Sequence, residues 1–349
     1  MTLSRTLAAS ACALVIVLGA NAPASADGLE RSEVRTAVSE LAQIMEESYV
    51  FPDVARTYAQ RLRTQLESGA YDSAADRSAL ASAMQNDLLS VHRDAHLRIG
   101  EVREGGAQRG PRPQPRTDLI GQTVWLADGV AYIDINSLNG DEEWARRMAD
   151  ALDRFADAET LILDMRNCPG GGPLMMHEVL DRLFAEPTYV MTMDTRTGAS
   201  PRMEEAFDSD PHLRRVSGPA TVSRFEHWTR PPNPAHSLAN ARVFVLTGRT
   251  ASACEHVASA LRDTGRATLV GSRTQGAGHY GGDRVFDQGR LRMFLPVGVS
   301  YPPSTGQSWE SVGVQPHHDV PLAEALRFVL NELRIPAQAA ALVESESGD

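Results

Sequence analysis

The stretch TASACEHVASAL, Thr250 to Leu261, places a serine where a helix is predicted to begin. It follows the apolar run ARVFVL and a turn-like TGR, so Ser252 lies between a buried strand and a helix. Ser-Ala-Cys-Glu matches the S-x-x-E capping box, in which Ser252 and Glu255 satisfy each other's free backbone amides. The same position presents a hydroxyl at a sharp turn, with the N–H of Ala253 directed toward any oxyanion. The pattern alone favours the helix cap and leaves a nucleophilic role open.

A glycine-rich loop, LDMRNCPGGGP from Leu163 to Pro173, follows another predicted buried strand. A strand-to-helix turn needs only one glycine, so three in a row after Pro169 indicate a loop that faces a ligand with free N–H groups. The loop is neither a P-loop nor a dinucleotide fingerprint, because the required lysine and spacing are missing.

A nucleophilic serine needs a base, and this chain has no lysine: all 34 basic residues are arginine. The ten histidines are therefore the candidates. His96, in HRDAHLRIG, falls where a predicted helix ends and an extended segment begins, with His92 one turn earlier. Interaction with a helix dipole is an equally simple explanation of a histidine there. HRDAH lacks the glutamate of HExxH and no third ligand is evident, so we predict no metal site.

The segments that position these residues differ in composition and in hydrophobic pattern. The start of the chain combines one positive charge, an apolar run too short for a comfortable membrane span and a small-residue cleavage site, which predicts export and cleavage after Ala26. The predicted organisation is a signal peptide (1–26), an N-terminal helical domain (27–104), a linker rich in proline, glycine and arginine (105–117), a core (118–335) and a flexible tail (336–349).

Within the core, predicted strands alternate with predicted helices, which indicates an α/β fold with a mostly parallel sheet. We assign the apolar run YVMTM (189–193) to this alternation. The segment from about 194 to 240 is too long for an ordinary connection, and loops of such length usually cover a site or are partly disordered.

Composition excludes several function classes. The net charge is −11 and no basic cluster with interleaved aromatics is present, which argues against nucleic-acid binding. No later run is apolar enough for stable membrane insertion. The lack of lysine excludes a P-loop and a pyridoxal-phosphate Schiff base, and we expect no cofactor. The oligomeric state stays undetermined.

Three separated motifs, LDMRNCPGG, TASACEHVASALRDTGRATLVGSRTQGAG and ESVGVQPHHDV, resemble in order and spacing the tail-specific (C-terminal-processing) serine peptidases. The resemblance covers about 118–320. It implies an α/β core of the crotonase/ClpP type, here preceded by the small helical domain.

One branch of that family uses a serine–lysine dyad, but the matching position here is Ala277, and the linker has no room for that branch's PDZ domain. The chain is more similar to the branch of tricorn core protease and interphotoreceptor retinoid-binding protein. There a D-x-H motif supplies a histidine base, and a late glutamate orients it. Asp94-Ala95-His96 and Glu310 in WESVGV match these positions.

The resemblance implies Ser252 as nucleophile, His96 as base and Glu310 as its orienter. The implied oxyanion hole consists of the backbone amides of Ala253 and of Gly170 or Gly171. Two departures matter: Ala95 replaces a serine that would help to orient the base, and Ala253 replaces an acidic selector, so a preference for basic substrates does not carry over.

Cys168 and Cys254 are the cysteines left after the signal peptide, in an oxidising compartment. One lies beside the oxyanion glycines and the other two residues after Ser252, and the implied mechanism brings these loops together. A disulfide would form if the Cα atoms lie within about 7 Å. Two buried free thiols are a nearly equal alternative.

The favoured function is an exported, periplasmic or secreted serine endopeptidase that cleaves peptides or unfolded and C-terminal segments. The alternative is a noncatalytic carrier of retinoid- or fatty-acid-type lipophiles on the same fold. A crotonase-like acyl-CoA enzyme is a third reading, disfavoured by the export signal and the lack of an evident CoA site.

Overall fold

A computed structural model describes residues 28–102 and 118–344 of the chain. The predicted signal peptide and the predicted linker at 105–117 lie outside these residues, and both stay predictions.

The described residues form helices and strands in both predicted regions. The helices are α1 (Arg31–Ser48), α2 (Pro52–Glu67), α3 (Arg77–Val91), α4 (Glu142–Asp153), α5 (Pro173–Arg182), α6 (Pro201–Ser209), α7 (Ala253–Asp263), α8 (Ala325–Glu332) and α9 (Ala341–Glu344). The strands are β1 (Arg98–Glu101), β2 (Ile120–Ala127), β3 (Val130–Ile135), β4 (Thr160–Asp164), β5 (Tyr189–Arg196), β6 (Leu213–Val216), β7 (Val222–Trp228), β8 (Arg242–Thr247), β9 (Ala267–Gly271), β10 (His279–Phe286), β11 (Leu291–Tyr301) and β12 (His318–Asp319).

The first sheet has the strand order β12-β9-β8-β4-β3-β2 and is parallel except for its β2–β3 edge pair. Its central strands are apolar along most of their length because helices cover both faces. Helices α4, α5 and α7 pack on one face, and α8 packs on the other. This arrangement confirms the predicted α/β fold with a mostly parallel sheet.

The second sheet is antiparallel, with the order β1-β11-β5-β7-β6 and β10 paired to β11. It contains β5, so YVMTM does not belong to the parallel sheet. The segment at 194–240 is also not an irregular cover, since it includes α6, β6 and β7. An apolar run shows that a strand is buried but does not show which strands it will pair with.

The predicted N-terminal helices α1, α2 and α3 are present, but they share their core with the second sheet. Buried residues of both regions form one cluster: Val38, Leu41, Met45, Leu62, Met84 and Leu88 with Leu291, Met293, Leu295 and Val297. Strand β1 pairs with β11, where Arg98 lies opposite Phe294. The segment between α3 and β1, which carries His96, is thereby fixed against the core.

The predicted flexible tail differs from expectation where the structure describes it. Residues 337–344 form two short helical turns, and Ala340 is buried in the cluster beneath α8. Each alanine buries little apolar surface, so the hydropathy of an alanine-rich segment does not show that the segment packs against the core. No helix in the described part of the chain is long and apolar enough to cross a membrane.

Candidate active site

Ser252 lies directly before α7, at the turn that follows β8. Its backbone has φ 52° and ψ −123°, a conformation that non-glycine residues rarely adopt and that costs about 1–3 kcal/mol. The carboxylate of Glu255 accepts the Ser252 N–H at 2.9 Å, as the capping box predicts. The Ser252 Oγ lies 3.2 Å from Nε2 of His96. The turn is thus capped through Glu255 while the hydroxyl faces a histidine.

Glu255 is fully buried and anchors this turn. Besides Ser252, its carboxylate accepts hydrogen bonds from the Thr274 hydroxyl and from the N–H groups of Gly276 and Ala277. Burial raises the pKa of Glu255, and these hydrogen bonds oppose that rise. The segment 274–277, in which the serine–lysine branch of the family has its lysine, therefore supports the turn of Ser252 here.

His96 is held by its backbone and by one aromatic neighbour. Its N–H donates to Oδ1 of Asp94 at 2.9 Å, and its ring stacks on Phe294 with centroids 5.3 Å apart. Burial lowers the pKa of His96 below 6.5, partly opposed by the charges of Asp94 and Glu310. The lowered pKa favours the neutral imidazole, which is the form that can accept a proton.

Glu310 lies against the segment that carries His96 but does not hydrogen-bond to the imidazole. Its carboxylate accepts the N–H groups of Ala95 at 2.8 Å, Gly278 at 2.7 Å and His279 at 3.0 Å. The Nδ1 of His96 is buried without a hydrogen-bond partner among the described residues. Glu310 therefore influences the base through its charge and through the backbone of Ala95.

A second buried histidine, His279, supports the D-x-H turn, and no motif in the sequence indicates it. His279 Nδ1 lies 2.7 Å from Oδ2 of Asp94, which also accepts the Tyr49 hydroxyl at 2.9 Å. Burial alone would raise the pKa of Asp94, but its contacts with His279 lower it. His279 begins β10, far along the chain from Asp94, and no spacing in the sequence links the two.

The glycine loop approaches the nucleophile closely. Gly170 has φ 110°, and a Cβ placed on it would lie 2.6 Å from Cβ of Ser252 and 3.1 Å from N of Ala253. Within the described residues, the N–H groups of Gly170, Gly171 and Ala253 donate no hydrogen bond. Gly170 therefore lies directly against Ser252 and Ala253.

The two cysteines lie behind these amides. Cys168 and Cys254 are paired as a disulfide, with Cα atoms 6.1 Å apart and both residues fully buried. The carbonyl of Cys168 also accepts the N–H of Ala251 at 2.9 Å. The glycine loop and the start of α7 are therefore joined by a covalent bond and by a hydrogen bond.

A cavity of about 270 Å³ opens beside Ser252. Its apolar lining includes Met176, Met193, Met203, Phe207, Leu213, Tyr280 and Trp309, and its polar lining includes His177, Asp210, His227 and His256. Several of these residues come from the segment at 194–240, which therefore forms part of the site. We call this cavity the serine pocket.

Residues 129–320 of this chain match the protein family described as "Peptidase family S41". Residues 29–124 match the family described as "N-terminal domain of Peptidase_S41 in eukaryotic IRBP". The chain belongs to peptidase family S41. It is accordingly a peptidase, and the two matches together span both the helical region and the core.

Solved structures share this fold at low sequence identity. The photosystem II D1 C-terminal processing protease is 14% identical with a TM-score of 0.52, covering 86% of this chain and 97% of that one. A putative peptidase from Parabacteroides merdae is 15% identical with a TM-score of 0.60, covering 89% and 99%. The tricorn protease is 12% identical with a TM-score of 0.56, covering 87% of this chain and 36% of its own. At these identities the likeness concerns the fold.

Proposed function

We propose that the protein is an exported serine endopeptidase in which Ser252 is the nucleophile and His96 the general base. The observation that carries this proposal is the 3.2 Å approach of Ser252 Oγ to His96 Nε2, in a part-buried site lined by free backbone amides. Membership of a peptidase family supplies the reaction class.

In the proposed reaction, His96 removes the proton of Ser252 while Oγ attacks the scissile carbonyl. The oxyanion accepts hydrogen bonds from Ala253 and from Gly170 or Gly171. His96 then protonates the leaving amine, and water hydrolyses the acyl-enzyme by the same route. The negative charge of Glu310 favours the imidazolium that forms in each step.

The substrate proposed is a flexible peptide or an unfolded or C-terminal segment. The serine pocket is enclosed by residues from α5, α6, β5 and β7, so a side chain next to the scissile bond must enter between packed elements. An extended, mobile chain can do this, whereas a folded surface cannot. The largely apolar lining favours an apolar side chain at that position.

The test is fluorophosphonate labelling of the purified mature protein, with the adduct located by mass spectrometry. We expect one adduct, on Ser252, that disappears in His96→Ala and after denaturation. No adduct on folded protein would overturn the proposal and favour the lipophile carrier instead. The intact mass of the exported protein, with Asp27 as its first residue, tests the signal peptide separately.

A further inference from the structure

Three side chains of types that can bind a metal converge beside the serine pocket, and two of them, His177 and Asp210, line it. His177 lies on α5, while Asp210 and His212 lie in the turn between α6 and β6. One ligand atom of each falls within 4.8 Å of the other two. The proposed peptidase mechanism uses none of them.

The surroundings of His212 match those of a metal-ligating histidine. Its Nδ1 lies 3.1 Å from Oδ1 of Asp210, and its Nε2 lies 2.9 Å from Oδ2 of Asp181. Histidines that bind metals commonly donate their other ring N–H to a carboxylate, which fixes the tautomer and the ring orientation. Asp181 is that carboxylate, and it is held in turn by the Arg230 N–H at 2.8 Å.

His177, the third side chain, lies next to Asp210 and His212. Nε2 of His177 lies 4.0 Å from Oδ2 of Asp210, and the rings of His177 and His212 stack with centroids 3.7 Å apart. An imidazole binds a metal in the plane of its ring, so the two rings must tilt apart to share an ion.

An independent observation points to a ligand at the same wall. His227 lines the serine pocket, is 1% exposed, and its ring centroid lies 5.1 Å from that of His177. Its Nδ1 shares a hydrogen bond with Nε2 of His256 at 2.9 Å. Its Nε2 has no partner among the described residues. A buried ring nitrogen without a hydrogen-bond partner lowers the stability of the protein by about 1–3 kcal/mol, unless a ligand or water molecule supplies that partner.

We propose that His177, Asp210 and His212 bind a zinc ion in the wall of the serine pocket. Nε2 of His177, one carboxylate oxygen of Asp210 and Nδ1 of His212 are the ligands. The ion takes the place of the proton between His212 and Asp210, which is released to solvent. Three protein ligands leave the fourth tetrahedral position open for water, and imidazole with carboxylate is a donor set that suits Zn²⁺.

Occupancy of this site closes part of the pocket that also contains Ser252. A bound zinc ion with its water therefore competes with the substrate side chain, and zinc inhibits the peptidase. This consequence rests on the proposed function, whereas binding of the ion does not.

The experiment titrates Zn²⁺ into the metal-free mature protein by calorimetry and records the visible spectrum after addition of Co²⁺. We expect one ion per chain and the intense bands of tetrahedral Co²⁺. His212→Gln and Asp210→Asn should each weaken binding at least 100-fold. Asp181→Asn, which removes only the carboxylate behind His212, should weaken it about 10- to 100-fold. His318→Ala, at an exposed histidine on β12, is the matched control and should bind as wild type.

Folded His212→Gln and Asp210→Asn variants that bind zinc as tightly as wild type would overturn the proposal. A wild-type protein that binds no zinc at micromolar concentrations would also overturn it, since His212 would then only form ion pairs with Asp181 and Asp210. A separate measurement follows fluorophosphonate labelling of Ser252 with and without zinc. Labelling that fails without zinc contradicts the proposed function and leaves the calorimetric result standing.

Discussion

Ser252 Oγ and His96 Nε2 lie 3.2 Å apart although 156 residues separate them in the chain. The serine follows a strand of the parallel sheet, and the histidine comes from the turn that leads from the N-terminal helices into the antiparallel sheet. Asp94 fixes this turn by accepting the N–H groups of His96 and Leu97. The proposed catalytic pair thus exists only where the two sheets and the helical region meet.

Removal of the proposed base should abolish turnover without unfolding the protein. We expect His96→Ala to lower kcat by about 10⁴- to 10⁶-fold, because Ser252 then has no proton acceptor. Steady-state kinetics on a peptide substrate checks this. His92→Ala, one turn earlier at the end of α3, is the control and should stay within a factor of about three of wild type. Near-wild-type activity in His96→Ala would exclude the mechanism.

The activity should depend on pH through the imidazole of His96. Burial penalises the charged ring and lowers its pKa, so kcat/KM should rise with pH along a limb that lies below the range of an unperturbed histidine. Glu310→Gln removes a charge that raises this pKa, so the limb should move to lower pH while kcat decreases. Glu143→Gln, an exposed carboxyl on α4, should leave the profile unchanged. A limb that moves to higher pH in Glu310→Gln would contradict this account.

A methyl group on Gly170 should damage the site far more than one on Gly172. The Cβ of Gly170→Ala would lie 2.6 Å from that of Ser252, and φ 110° is strained for alanine, whereas Gly172 has φ −113° and no atom within 4 Å of its added Cβ. We expect kcat/KM to fall at least about 100-fold in Gly170→Ala. Gly172→Ala, whose methyl group meets no atom although Gly172 borders the serine pocket, should lower kcat/KM by less than about tenfold. Equal losses in the two variants would show that Gly170 does not shape the oxyanion site.

The disulfide between Cys168 and Cys254 closes a long loop and should stabilise the fold. The double variant C168A/C254A should lose about 2–4 kcal/mol of unfolding free energy in urea, since the cross-link restricts the unfolded chain over a sequence separation of 86. Reductant should destabilise wild type by a similar amount and leave the double variant unaffected. Alkylation of both cysteines in unfolded, unreduced protein would instead show free thiols.

The positions of the reacting groups were accessible from local sequence. A serine between a buried strand and a helix start, glycines after another strand, and a histidine after a helix are features that neighbouring residues determine. The roles of Ser252 and His96 came from the family resemblance, which also implied that the loops of Cys168 and Cys254 meet.

The remaining features depend on contacts between distant segments. The apolar residues of β5 do not distinguish a parallel from an antiparallel partner, so the sequence predicts the wrong sheet for this strand. The Asp94–His279 pair and the four histidines near the serine pocket are brought together only by packing of the second sheet. The unpaired Nδ1 of His96 likewise results from where Glu310 finds backbone donors, which residue types alone do not determine.

The pairing of β1 with β11 bears on the stage of folding at which this peptidase becomes active. Strand β1 holds the histidine turn in place, and its partner spans Leu291–Tyr301, late in the chain. A polypeptide that crosses a membrane from its N-terminus delivers both reacting side chains before that partner emerges. In the exported peptidase proposed above, the catalytic pair would therefore assemble only after β11 has emerged and paired with β1. The order of these segments along the chain would delay activity until the two sheets have folded together.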